Sequence, residues 1–137
     1  MPKYPTVTYP VGRSVNYNLG TGLHDMSAIV NGNGFTADSI AARAGGGRAS
    51  ATPVVNAITL IATVATAGDS VALPPAVGGQ LLWLINGGAQ SAQVFANNNT
   101  SDTINGVAAG TGIALASGKS QLFMSPLAGA WFGNLSA

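Results

Sequence analysis

Between residues 58 and 131 the chain repeats one pattern, in which short apolar segments are separated by Gly, Asn and Asp. We predict eight strands there, near residues 56–65, 69–73, 80–86, 91–96, 102–105, 112–116, 119–125 and 130–135. A spacing of about 8 to 12 residues with a turn signal at each boundary is typical of a sandwich or barrel. The predicted fold of residues 54–137 is therefore an all-β sandwich or barrel.

Residues 1–53 have a different composition and are predicted to form an extended N-terminal arm. Pro2, Pro5 and Pro10 remove ladder donors and favour extended backbone. The tyrosines and valines between them are too apolar for a solvated disordered tail. We expect the arm to lie on a neighbouring subunit or on another protein. Its predicted partner-binding residues are Tyr4, Tyr9, Val11, Arg13 and Tyr17.

One short helix is predicted within the arm, near residues 37–44. Thr36 is placed to cap it, Asp38 lies in its first turn and Arg43 in its last. Three glycines at 45–47 would end it. Residues 45–52 are then predicted to be a flexible hinge, and Pro53 to mark the start of the β-domain.

The composition favours a subunit of an assembly. Only 7% of the 137 residues are charged, 47% are hydrophobic and the net charge is +1, so copies of the chain repel one another little. A β-domain of about eighty residues without disulfides has a thin core, for which oligomerisation is a usual remedy. The five basic residues are too few for a nucleic-acid surface.

The first residues lack the apolar core of a signal peptide, and no run approaches the roughly 18 apolar residues of a membrane span. We therefore predict synthesis in a cytoplasm, with neither nucleic acid nor a membrane as partner.

No group of residues indicates catalysis, a cofactor or a metal. His24, Asp25 and Ser27 are too close in sequence to form a hydrolytic triad. The segment 118–120, Gly-Lys-Ser, lacks the earlier glycine and the helix of a phosphate-binding loop, so a hairpin turn with a solvated lysine is favoured. Asp69 and Asp102 could pair for glycoside hydrolysis, but both lie in turn contexts where aspartate commonly bonds backbone.

The segment 81–85, Leu-Leu-Trp-Leu-Ile, is apolar on both faces. It is predicted to be a central strand or one whose outer face meets a partner. The predicted oligomer interface comprises Leu82, Trp83, Leu84 and Trp131. The aromatic residues could instead line a sugar-binding platform, although aromatics in strands are more often core or interface anchors. The candidates are Trp83, Phe95, Phe123, Trp131 and Phe132.

Several motifs follow one another in a recognisable order. They are Thr66-Ala-Gly-Asp-Ser-Val-Ala-Leu-Pro74, Asn86-Gly-Gly-Ala-Gln-Ser-Ala-Gln-Val-Phe95, Asp102-Thr-Ile-Asn-Gly-Val-Ala-Ala-Gly110, Leu115-Ala-Ser-Gly-Lys119 and Gly129-Ala-Trp131. In this order the chain resembles small β-rich structural proteins of tailed bacteriophages and prophages. The resemblance covers about residues 57–135, and its motifs are turn and core signals.

The resemblance implies a β-barrel or jelly-roll-like domain that is usually trimeric and carries no catalytic residues. It implies a head decoration or cement protein, bound to the major capsid protein on the capsid exterior and made in the host bacterial cytoplasm. The alternative that it implies is a receptor- or carbohydrate-binding component of a fibre or spike. In the cement interpretation, the arm grips the capsid or a neighbouring subunit.

Overall fold

The computed structural model describes residues 6–8, 14–16 and 37–134, and it divides the chain into two compact units, Met1–Phe35 and Thr36–Ala137. In the first unit the described residues form one antiparallel pair of strands, β1 (Thr6–Thr8) and β2 (Ser14–Asn16). Val7 lies opposite Val15 at its centre.

The described part of the second unit contains strands and turns but no helix. Its strands are β3 (Ala37–Ala41), β4 (Thr52–Pro53), β5 (Ile58–Thr63), β6 (Ser70–Ala72), β7 (Gln80–Asn86), β8 (Ala92–Phe95), β9 (Thr103–Ile104), β10 (Ile113–Leu115), β11 (Ser120–Leu127) and β12 (Ala130–Gly133). Seven of the eight strand segments predicted from the sequence contain a whole strand, and the remaining segment, 119–125, covers all of β11 except its last two residues. The all-β class is therefore confirmed.

The strands form a parallel β-solenoid of about four turns. The chain alternates between two sheets: β3, β5 and β7 are parallel neighbours in a six-stranded sheet, and β4, β6 and β8 are parallel neighbours in a four-stranded sheet. Strands of the six-stranded sheet begin at residues 37, 58 and 80, one solenoid turn apart. Each turn thus adds one strand to each sheet.

The last strands end this parallel stack. β11 pairs antiparallel with both β7 and β12, and β10 pairs antiparallel with β8. β9 then pairs parallel with β12 at the edge of the six-stranded sheet. The final strand orders are β3-β5-β7-β11-β12-β9 and β10-β8-β6-β4.

The prediction of a jelly-roll-like sandwich or barrel was wrong. Short strands and frequent turns are common to both architectures, but here most consecutive strands enter different sheets and pair with the strand one turn away. Parallel neighbours need a crossover connection, which the intervening strand of the other sheet supplies. The local sequence pattern predicts where the strands lie, but it does not predict which strands pair with each other.

The predicted helix near residues 37–44 was also wrong, because residues 37–41 form β3. This segment pairs in parallel with β5, with Ser39 beside Leu60. Its burial alternates along the strand, as a half-buried strand requires. Asp38, predicted to lie in the first turn of a helix, instead accepts a hydrogen bond from Thr59 Oγ1 at 3.0 Å. Ladder bonds to β5 outweigh the weak propensity of so short a helix.

The division of the chain falls after Phe35 rather than after Pro53. Residues 37–53 supply β3 and β4 and belong to the solenoid. The predicted hinge at residues 45–52 is attached to the solenoid as well. Ala51 is buried, and Ser70 Oγ donates to the carbonyl oxygen of Gly47 at 3.0 Å.

The hydrophobic core lies between the two sheets. Its largest fully buried side chains are Trp131, Phe123, Ile61, Leu73, Leu84 and Ile104. Trp131 Nε1 donates to the carbonyl oxygen of Pro74 at 3.0 Å, so its polar edge is also satisfied.

Candidate functional site

The outer surface of the six-stranded sheet is apolar. Along β7, Leu82 and Leu84 point into the core and are buried, whereas Leu81 and Trp83 alternate with them and are 51% and 48% exposed. Side chains of a strand alternate between the two faces of a sheet, so both faces of β7 are apolar. The prediction that this segment is a central strand is confirmed, since β7 lies between β5 and β11.

Strand register joins these exposed side chains into continuous rows. Trp83 lies between Ile58 on β5 and Leu122 on β11. In the next row, Met124 lies between Leu81 and Phe132, and on the other side of Trp83, Leu60 lies beside Ile85. We call this surface the apolar face and define it by Ile58, Leu60, Leu81, Trp83, Ile85, Leu122, Met124 and Phe132.

The apolar face carries no charge. The charged residues of the described chain are Asp38, Arg43, Arg48, Asp69, Asp102 and Lys119, and none of them belongs to the face. At one edge of the face, strand β3 adds only the small exposed residues Ala37, Ser39 and Ala41. A contiguous exposed apolar surface of this kind marks a protein–protein or ligand contact.

The outer surface of the four-stranded sheet is different because the chain covers it over β6 and β8. Ser70, Ala72 and Phe95 alternate with the core residues of β6 and β8 and yet are buried. Ala51, from the segment between β3 and β4, packs with Ala72 and Phe95 in a separate small cluster. The connecting segment 43–51 therefore shields the part of this sheet that β6 and β8 form.

Hydrogen bonds hold that covering segment in place. Arg48 Nη2 donates to the carbonyl oxygens of Asn97 and Thr100. A Cβ added to Gly46, which has a φ of +68°, would lie 2.7 Å from the carbonyl oxygen of Gly68, so the backbones of the two turns approach closely there.

The predicted interface residues separate into two groups. Leu82, Leu84 and Trp131 are buried in the core of their own chain and offer no surface to a partner. Trp83 is at the centre of the apolar face, where its role as an interface residue stays a prediction. The partner-binding residues predicted in the arm all lie outside the residues that the structure describes.

The burial of the aromatic residues also tests the predicted sugar-binding platform. Phe95, Phe123 and Trp131 are buried, and only Trp83 and Phe132 of the five candidates are exposed. The five aromatic side chains therefore do not form one platform, and Trp131, predicted to be an interface residue, lies in the core with Phe123. Leu81 and Met124 were not predicted from the sequence to be surface residues, although the alternation of side chains along each strand identifies them.

Asp69 has the turn role that its sequence context predicts. Its carboxylate accepts hydrogen bonds from the backbone N–H groups of Ala65 and Thr66 at 2.9 and 3.0 Å and from Thr66 Oγ1 at 2.8 Å. A fourth donor, the N–H of Gly45 at 3.2 Å, comes from the preceding turn of the solenoid. The bonds from Thr66, backbone first, hold the pKa of Asp69 below its ordinary 3.8 against the opposing effect of burial. An ionised carboxylate saturated with donors stabilises the fold and is a poor proton donor.

Asp102 and Asn86 also stabilise the fold through hydrogen bonds to the backbone. Asp102 Oδ2 accepts from the N–H of Ala76 at 2.7 Å. The buried amide of Asn86 donates to the carbonyl oxygens of Gln90 and Leu115 at 2.9 and 2.8 Å. These buried polar groups are satisfied by hydrogen bonds to the backbone, and buried polar groups are generally hydrogen-bonded in this way.

The other candidate groups do not gather into a reactive site. Lys119 is exposed between β10 and β11, as predicted, but the predicted hairpin was wrong, because these two strands lie in different sheets. His24 and its neighbours lie outside the described residues. Within the described ranges, no three His, Cys, Asp or Glu side chains are close enough to hold a metal ion.

Two surface cavities adjoin each other at one corner of the solenoid. One, of about 330 Å³, is bounded by residues that include Pro53, Val55, Pro74 and the three asparagines 97–99. The other, of about 220 Å³, shares Val55 and Pro74 and reaches Leu81 at the rim of the apolar face. Neither lining contains an ionisable side chain, so neither supplies an acid or a base for catalysis.

No helix in the described part of the chain is long and apolar enough to span a membrane. Comparison of the chain with protein-family models, curated proteins and solved structures finds no match. Function is therefore inferred from the residues of this chain, and above all from the apolar face.

Proposed function

We propose that this chain is a structural virion protein, a capsid decoration or cement subunit that stabilises the head of a bacteriophage and acts without catalysis. The observation that carries the proposal is the apolar face. A surface with eight apolar side chains and no charge belongs against another protein, because leaving it in water is unfavourable. The order of the motifs from Thr66 to Trp131, which resembles phage structural proteins, favours a virion as the setting.

The fold suits a mechanical role. Successive solenoid turns are joined by parallel ladders and by side chains such as Asp69, which bonds residues of two turns. Each turn contacts mainly its neighbours, so the stack is a stiff unit that can bridge a joint between capsid subunits. In this proposal the N-terminal arm, with Tyr4, Tyr9 and Tyr17, engages the major capsid protein. The subunits associate as a trimer.

Particles that lack the protein test the stabilising role. On heating or low-salt shock, they should release their genome at a lower temperature than wild-type particles, and adding back the purified chain should restore the difference. Equal survival of the two kinds of particle contradicts a cement function.

Deleting residues 2–22 tests the arm. The solenoid has its own core and should keep its β-rich circular dichroism spectrum, because that core lies wholly in the second unit. Binding to stripped particles should be lost. A truncated chain that still binds particles with unchanged affinity would show that the arm is not the anchor.

The second candidate function is a receptor- or carbohydrate-binding component of a fibre or spike. The exposed rings of Trp83 and Phe132 favour it, since aromatic rings on a surface can stack on sugars or anchor a protein. A glycan array or a host-cell adsorption assay separates the two functions. A specific signal that disappears in Trp83→Thr supports the receptor function, and its absence supports the decoration function.

A further inference from the structure

The two sheets of the solenoid are protected unequally. Residues of segment 43–51 cover β6 and β8 of the four-stranded sheet and bury Ser70 and Ala72. Over the apolar face, by contrast, Trp83 and Leu81 remain about half exposed in the described chain. Since the described chain covers β6 and β8 but leaves the apolar face exposed, the apolar face is the sheet surface that is open to a partner.

We propose that the apolar face is buried against the apolar faces of other copies of this chain. This inference rests on the proposed structural role and adds to it the surface of association and the identity of the partner. In a trimer, three such faces surround one axis.

Charge favours the same chain as the partner. Recognition of a different protein usually relies on complementary charges at the contact, and the apolar face has none to offer. An uncharged apolar surface is complementary to itself. The net charge of +1 also means that copies of the chain repel one another little.

The exposed area of the apolar face is large enough for an interface between subunits. Six of the eight side chains are between 36% and 51% exposed. Because a whole aromatic side chain buries roughly 150–250 Å² and an aliphatic one less, these six expose on the order of 500 Å². That lies at the upper end for a monomer's largest patch and approaches the roughly 800 Å² that each partner buries in a standard interface. Neighbouring Ala37, Ser39 and Ala41 supply more area.

Trp83 is placed as the anchor of the contact. It lies at the centre of the face, between Ile58 and Leu122 across the strands and between Leu81 and Ile85 along its own strand. Tryptophans at the centre of an interface, surrounded by apolar contacts that exclude water, carry much of the binding energy. Trp83 should therefore matter more to association than any residue at the rim.

The experiment measures the molar mass of the full chain by light scattering after gel filtration, over a range of micromolar concentrations. The wild-type protein should elute at a multiple of its 13.5 kDa monomer mass. Trp83→Thr keeps a residue suited to a strand but removes the ring, and should weaken association by at least about 30-fold. Leu81→Lys places a charge on the face and should give monomers.

Ala114→Lys is the matched control, because Ala114 is an exposed strand residue of the four-stranded sheet. It adds the same charge away from the apolar face and should leave the mass unchanged. Circular dichroism identifies any variant that fails to fold, and Trp83→Thr decides the question if Leu81→Lys does fail.

A wild-type chain that is monomeric at every concentration overturns the inference, as does an oligomer that survives both substitutions on the apolar face. These outcomes are distinct from failure of the proposed function. A monomeric protein that still stabilises particles leaves the function intact, whereas a chain that oligomerises through the face but has no effect on particles contradicts only the function.

Discussion

Gly88 lies at a corner of the solenoid where the backbone after β7 passes against the preceding turn. A Cβ added there would lie 2.4 Å from the backbone nitrogen of Val64 and 2.7 Å from its Cβ. Backbone atoms cannot move aside as the end of a long side chain can, so the two turns would have to separate. The close packing of successive turns therefore depends on a hydrogen atom at this position.

We expect Gly88→Ala to lower the free energy of unfolding by about 1 to 3 kcal/mol, the usual cost of overpacking a buried site. Denaturant unfolding followed by circular dichroism measures it. Gly110→Ala is the control, because Gly110 is exposed and an added Cβ there meets nothing within 4 Å. Equal stability of the two variants would contradict the close approach of the turns at Gly88.

Asp69 connects two solenoid turns and makes stability depend on pH. Because its pKa is lowered in the folded state, chiefly by the hydrogen bonds from Thr66, its contribution is complete above the ordinary value of 3.8. That contribution is lost as the pH falls through the lower, folded-state pKa. Asp69→Asn should therefore be less stable than wild type at neutral pH, and the gap should narrow in acid.

Urea unfolding midpoints measured from about pH 7 to about pH 2 test this expectation. Asp38→Asn removes the same charge, but among the described residues the Asp38 carboxylate accepts a side-chain hydrogen bond from Thr59 Oγ1 alone, so this variant separates the effect of charge from that of the bonds at Asp69. A gap between wild type and Asp69→Asn that is constant at all pH values would show that the ionised carboxylate is not what stabilises the turn.

At the scale of residues, the role of a side chain was predicted correctly where its hydrogen-bond partners are close in sequence. The turn role of Asp69 follows from its Ala-Gly-Asp-Ser context, because the groups it bonds at 65 and 66 are a few residues away. The burial of Trp131 depends instead on Pro74, 57 residues earlier in the chain, which accepts its hydrogen bond. Sequence spacing alone could not decide whether that ring is in the core or on the surface.

At the scale of elements, the parallel pairing of β3 with β5 distinguishes the solenoid from a sandwich preceded by an arm. Ser39 and Leu60 are register partners on the outer surface of the sheet. Neighbouring strands lie about 4.8 Å apart, and a disulfide needs a Cα separation of about 4.4 to 6.8 Å. The chain has no cysteine of its own, so an engineered pair has no competing partner.

The double variant Ser39→Cys with Leu60→Cys should form an intramolecular disulfide on mild oxidation, detected by loss of free thiol in the monomer fraction. Ser39→Cys with Met124→Cys is the control, since β5 and β7 separate those two strands. If the first pair remains reduced within the monomer, or if both pairs oxidise equally, β3 does not pair with β5 as described.

The elements also show where sequence reasoning stops. Turn signals such as those at residues 67–69 and 86–88 located the strands, because Gly, Asn and Asp act on the backbone next to them. Residues 37–41 have only one large apolar residue, Ile40, so capping signals suggested a helix. The strand exists because β5 offers a ladder, and that partner lies about 20 residues away. The regular spacing of 21 and 22 residues between the starts of β3, β5 and β7 is the signal that would have indicated a solenoid.

At the scale of the whole molecule, low charge and an exposed apolar sheet have the same explanation. With 7% charged residues, the chain has too little charge to surround its apolar face with repulsion, as soluble monomers usually do. Composition alone predicted self-association. It could not assign the surface, because Leu81 and Leu82 are identical in sequence terms and only the direction of β7 places one outside and the other inside.

Acrylamide quenching of the wild-type protein's tryptophan fluorescence tests burial of the apolar face most directly. The chain has two tryptophans, and Trp131 is 1% exposed within its own subunit, so any change in quenching with concentration reports on Trp83. Both rings should resist quenching at micromolar concentration, and dilution should make about half of the emission quenchable as subunits separate. Free quenching of one tryptophan at every concentration would contradict the account, because Trp83 would then never be covered by another copy of the chain.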